Sequence, residues 1–101
     1  MRNMADILRM HNPGNYPMIM ARIKKLWRDG EVKMTGHAQQ RMTQRQIDML
    51  DIQNCILLGR IIGHSKPGPN WRYEVAGKAV DGDSMKCVVE INGRLIVITV
   101  M

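Results

Sequence analysis

The spacing of apolar residues divides the chain into a helical part and a strand part. Met4, Ile7 and Leu8 recur at helical spacing over residues 4 to 10, which predicts a short, weak helix. Asn12-Pro13-Gly14-Asn15 ends it. Pro17 suits the first turn of a second helix, in which Ile19, Ile23, Leu26 and Trp27 form an amphipathic stripe. Arg22, Lys24, Lys25 and Arg28 occupy its other surfaces, and Asp29-Gly30 closes it. Glu31 to Met34 alternates, as a short strand or an extended lead-in. Thr35 or Gly36 then caps a third helix whose apolar anchors are mainly Ala38 and Met42. After a break at Gln46-Ile47, Asp48 caps a fourth helix. Met49, Ile52, Ile56 and Leu57 supply its buried stripe, and Gly59 is its expected left-handed stop.

Beyond Gly59 the period falls from 3.6 to 2. Arg60 to His64 reads as a strand, and Pro67-Gly68-Pro69-Asn70 as an exposed turn or loop. In the next strand Trp71, Tyr73 and Val75 share one face, while Arg72 and Glu74 share the other. Asp81 to Ser84 is a turn. Met85 to Ile91 and Arg94 to Val100 are two further strands, joined at Asn92-Gly93 by an expected type I′ hairpin. Leu95 to Val100 is nearly continuous in apolar and β-branched residues, which predicts a central strand buried on both faces. Helices followed by an antiparallel meander define an α+β fold, with N-terminal helices packed on a sheet of about four strands. No repeat, low-complexity run or linker divides the 101 residues. A single domain over 1–101 is expected, with 1–30 as a helical N-terminal extension and 31–101 as the core.

Composition narrows the function. Fifteen Lys and Arg face nine Asp and Glu, a formal net charge of +6, and the pI is about 9.8. Such a balance favours nucleic acid or an acidic protein as partner. No apolar run is long enough to span a membrane. Met1 to Asp6 lacks an apolar stretch after a basic start, so no secretory leader is expected and a cytoplasmic location follows. Cys55 and Cys87 have no C-x-x-C spacing and read as small buried apolar residues in a reducing compartment. The three histidines and two cysteines have no metal-ligand spacing, and no Gly-rich phosphate loop is present, so neither metal nor cofactor is expected.

One stretch carries chemistry that the rest does not. His37, Arg41 and Arg45 stand four residues apart. An α-helix turns about 100° per residue, so the three fall within roughly 80° of one another on one face. Like charges at this spacing repel unless an anion meets them, and phosphate is the obvious one. His37 adds a group that titrates near neutrality and moves protons. A plain solvated face with a capping histidine fits the same spacing. RNA is cut without metal when its 2′-OH attacks the adjacent phosphate, which needs a proton acceptor, cations on the crowded phosphate and a proton for the leaving oxygen. His37 suits the acid/base role, and the forked guanidinium groups of Arg41 and Arg45 suit the phosphate oxygens. Tyr73 could donate a proton or stack on a base, and Trp71 or Arg72 could stack as well. His64, beside Ser65-Lys66, is a second acid/base candidate; His11 reads as surface.

The run His37-Ala38-x-x-Arg41-Met42-x-x-Arg45, the following Ile47, the helix ending in Leu58-Gly59 and the terminal Ile96-Val97-Ile98-Thr99-Val100 resemble an uncharacterised family of small bacterial proteins. That family is in turn similar to the RelE/ParE and MqsR-like toxins of type II toxin–antitoxin pairs. The resemblance covers residues 33 to 101. It implies a RelE-like fold of helices on a curved antiparallel sheet, messenger RNA endoribonuclease activity and a cognate antitoxin as partner. It supports His37, Arg41 and Arg45 as the motif positions, with Thr99 at the strand end, and Tyr73 lies in the middle strand region where such toxins often present a functional side chain. His37, Arg41, Arg45 and Tyr73 are the catalytic candidates. Trp71, Arg72, Lys66, His64 and Thr99 are the accompanying RNA-binding candidates. Gln46 stands where the pattern often has glycine, and the sequence ends directly after the last strand, without the C-terminal functional residues of some RelE-like nucleases. Two other readings stay open at this point: a non-enzymatic module that binds nucleic acid or protein, as ParE-like gyrase poisons do, and a motif helix that mediates a homodimer.

Overall fold

The computed structural model describes residues 12–101. The helix expected over residues 4 to 10, and His11, lie outside the described residues. Among those described, three helices and five strands follow in the order α1 (Tyr16–Arg28), β1 (Val32–Met34), α2 (Gly36–Arg45), α3 (Met49–Leu58), β2 (Arg60–Ser65), β3 (Arg72–Lys78), β4 (Ser84–Asn92) and β5 (Arg94–Val100). The fold is α+β. The sheet runs β1-β5-β4-β3-β2. It has one strand more than the meander predicts, because Val32–Met34 joins the edge of β5 in parallel and makes the sheet mixed.

Alternation along the strands separates two faces. Tyr73 and Val75 of β3, Met85, Cys87 and Val89 of β4, and Leu95, Val97 and Val100 of β5 are buried in one cluster with Ile19, Ile23, Ala38, Ile52, Cys55 and Ile56 from the helices. The helices therefore cover one face. On the other, Val88, Ile96, Ile98 and Thr99 are only half-buried. The double-sided burial expected of Leu95–Val100 holds for its helix side alone. A bulge between Val88 and Val89 lets Val97 pair with Val89 and Thr99 with Val88, so Ile98 is the extra residue. Ile19, Met20, Ile23 and Leu26 of α1 belong to the common core.

The ends of the elements follow local chemistry. Asn15 caps α1 and Pro17 lies in its first turn. Asp48 and Asp51 make a reciprocal capping box at the start of α3. Helix α2 ends in a Schellman arrangement: the Ile47 amide donates to the Met42 carbonyl at 2.9 Å and the Gln46 amide to Thr43 at 3.4 Å. Gln46 adopts the left-handed conformation (φ 56°) that glycine would take without strain.

Two turn expectations are corrected. Gly59 is extended (φ −88°, ψ −171°) and is no left-handed stop. It is needed because the end of α3 meets β3 backbone to backbone: a Cβ at Gly59 would collide with the carbonyls of Cys55 and Ala76, and one at Gly77 would sit 2.6 Å from the Cys55 carbonyl oxygen. At the β4–β5 hairpin only Gly93 has positive φ (73°), and Ile91 pairs with Leu95. A type I′ turn needs both central residues left-handed, so this hairpin is not type I′: the strands pair as far as Asn92 and Arg94, and Gly93 alone takes the left-handed conformation at the tip.

Candidate functional site

Helix α2 presents the motif. The Thr35 hydroxyl accepts from the Ala38 amide at 3.0 Å and donates to the Ile98 carbonyl at 2.9 Å, which fastens the helix start to β5. Ala38 is fully buried beneath the helix, and Met42 packs against the core. That pinning turns the opposite face outward: His37 and Arg45 are exposed and Arg41 is half-buried. Among the described residues, ion pairs join Lys25 to Asp29 and Arg72 to Glu90; none involves the motif. His37 is the second residue of its helix, where unsatisfied amides favour an anion.

A second cluster forms at the other edge of the sheet, around the β2–β3 hairpin. His64 pairs with Tyr73 across the strands. Its Nδ1 lies 2.7 Å from the Tyr16 hydroxyl at the start of α1. The His64 ring meets Tyr16 edge-on at 5.6 Å and Trp71 edge-on at 5.3 Å, and Lys66 Nζ stands 5.5 Å from the Trp71 ring centre. Tyr73 is only 7% exposed. Burial, with Tyr16 nearby, pushes its phenol above the ordinary tyrosine value, so it stays protonated at neutral pH.

The residues expected from the sequence thus fall into three places. His37, Arg41 and Arg45 share the outer face of α2. His64, Lys66, Trp71 and Tyr73 gather at the hairpin edge. Tyr73 is on β3, two strand positions from β5, or roughly 10 Å in the plane of the sheet; among the described residues no hydrogen bond joins it to the motif, and its ring neighbour is His64. Arg72 and Thr99 alternate with buried neighbours and face the open side of the sheet. Arg72 Nε is held there by Glu90 Oε1 at 2.8 Å. Tyr16 was not a candidate from the sequence. A tyrosine before Pro17 gives no local sign of a histidine 48 residues away.

Elsewhere the chemistry is quieter. Cys55 and Cys87 are free and buried. The neighbouring Cys55 thiol and burial push the Cys87 thiol up, so it is not an accessible nucleophile. A depression of about 290 Å³ is lined by Leu50, Gln53, Asn54, Leu57, Leu58 and Val80, none of them ionisable. No group of three or more potential metal ligands occurs among the described residues, and no described helix is long and apolar enough to cross a membrane.

A small α+β domain with an outward cationic helix face and an aromatic hairpin edge is what the geometry defines. The chain belongs to the family described as a domain of unknown function, DUF4258, whose model matches residues 34–101. The match opens at the last residue of β1 and takes in α2, α3 and β2 to β5. No curated protein and no solved structure matches the chain.

Proposed function

We propose that this chain is a metal-independent endoribonuclease of the toxin–antitoxin type, acting on messenger RNA in the cytoplasm and held in check by a cognate antitoxin. The observation that carries the reading is the outer face of α2. An imidazole and two guanidinium groups stand one turn apart, His37 and Arg45 exposed and Arg41 half-buried, without an acidic partner among the described residues. The resemblance of the H-A-x-x-R-M-x-x-R pattern to RelE/ParE and MqsR-like toxins supports the same assignment. In the reaction, His37 takes the 2′-OH proton as that oxygen attacks the neighbouring phosphorus. Arg41 and Arg45 hold the non-bridging oxygens as charge builds on them. The bond to the 5′-oxygen breaks, and the protonated imidazole or water returns a proton to the leaving group.

One observation favours a second reading, an RNA-binding or protein-binding module without catalysis. Tyr73, the expected assistant, is buried beside His64 and Tyr16 instead of lying on the motif face. Incubating the protein with single-stranded RNA in chelator over a range of pH separates the two. Chelator-resistant cutting that varies with pH near neutrality supports the nuclease. Binding that weakens steeply with salt, with no cutting, supports the module.

A further inference from the structure

We propose that the β2–β3 hairpin edge is a nucleobase platform, in which an unpaired base stacks on Trp71 and displaces Lys66 toward the adjoining phosphate. The proposal rests on the RNA reading given above and deepens it, because it assigns the bases and the phosphates to different places.

Four observations converge on the platform. Trp71 is half-buried and its ring is fixed at one edge by His64. His64 is in turn held by the Tyr16 hydroxyl, so the ring system is organised before any ligand arrives. Lys66 is exposed and rests near the Trp71 ring, where a cation gains only a modest attraction. Stacking a base on an aromatic ring is worth more than such an exposed contact, and a displaced ammonium regains its partner on a phosphate. The surroundings are also of the right sign. Lys66 is the cation at the Trp71 ring, in a chain of net charge +6. Arg60, Arg72, Glu74 and Lys78 alternate with buried Ile61, Tyr73 and Val75 and face the opposite side of the sheet, where Glu90 holds Arg72.

The layout divides the labour. Helix α2 packs over β5, whereas the platform stands on β2 and β3, with β4 between. Stacking accepts any base, so the platform adds affinity for unpaired RNA without a sequence code. Tyr16 is a positioning residue here: it orients His64, which braces Trp71, and touches no RNA itself.

The test uses the full chain carrying Trp27→Phe, which leaves Trp71 as the sole tryptophan. A short single-stranded oligoadenylate is expected to quench its emission, whereas an abasic ribose-phosphate chain of equal length is not. Trp71→Ala is expected to weaken oligoadenylate binding roughly tenfold. Lys66→Gln, at an exposed position that the fold does not need, lowers affinity for both probes through the lost phosphate contact. Tyr16→Phe weakens oligoadenylate binding and leaves the abasic probe unaffected. RNA bound with no change in Trp71 emission, or equal quenching by the abasic chain, overturns the platform and leaves the RNA reading standing. Absence of any RNA binding by the parent overturns both.

Discussion

The Tyr16 hydroxyl and Nδ1 of His64 lie 2.7 Å apart, joining the first turn of α1 to the outer strand of the sheet. At the other end of the same helix, Trp27 Nε1 donates to Gln53 Oε1 of α3 at 3.1 Å. Helix α1 is thereby tied at both ends, with its apolar stripe buried between. A net hydrogen bond of this kind contributes about 0.5–1.5 kcal/mol. Tyr16→Phe is expected to lower the thermal midpoint by a few degrees without altering secondary structure, as read by circular dichroism; an unchanged midpoint would show the bond contributes nothing.

Gln46 holds a left-handed conformation at the end of α2. A side chain in that region costs about 1 kcal/mol relative to glycine. Gln46→Gly should therefore stabilise the domain by about that amount, raising the thermal midpoint by about 4–8 °C. The substitution also restores the glycine common in the resembling pattern, so activity is expected to persist.

Gly77 lies against the backbone of Cys55, and a Cβ there would stand 2.9 Å from the Cys55 Cα. Neither neighbour is a flexible side-chain tip. Gly77→Ala should destabilise by about 1–3 kcal/mol through forced separation of α3 and β3. Gly36→Ala is the control, since nothing lies within 4 Å of a Cβ there. Urea titration of the two variants checks both expectations.

Asp51 accepts from the Asp48 amide and from the Val80 amide, each at 3.0 Å, and these bonds hold its carboxyl below the ordinary value of 3.8. A lowered folded pKa means that the contribution is complete above the unfolded value and fades as pH falls through the folded one. Asp51→Asn should reduce the urea midpoint at pH 7, and the gap from the parent should narrow once pH falls below about 4. A gap that stays constant down the acid limb would remove the assignment.

How far the sequence reaches can be judged residue by residue. Periodicity placed α1, α3 and the meander because each has a long enough stripe to bury, whereas α2, with little beyond Ala38 and Met42 to bury, was legible from its cap and its motif. Thr35 and Asp48 act as the caps their chemistry predicts. The three-residue strand β1 has too little pattern to reveal its parallel pairing with β5. Gly59 looked like a turn residue because glycine has two uses, and only tertiary contact distinguishes close approach from positive φ. Within the site, His37, Arg41 and Arg45 were legible because one helix carries all three. Tyr73 was read toward the motif, but its partner is set by strand register, which places it opposite His64. Tyr16 gave no signal, since its contact spans 48 residues.

The most direct measurement compares RNA cleavage in chelator by the parent and by His37→Ala. Positioned acid/base catalysis is worth roughly 10²–10⁴-fold, and His37 is exposed, so its removal leaves the core intact. The account predicts that cleavage falls by at least about a hundredfold while RNA binding and the thermal midpoint stay near those of the parent. Cleavage by His37→Ala at the parental rate would contradict it.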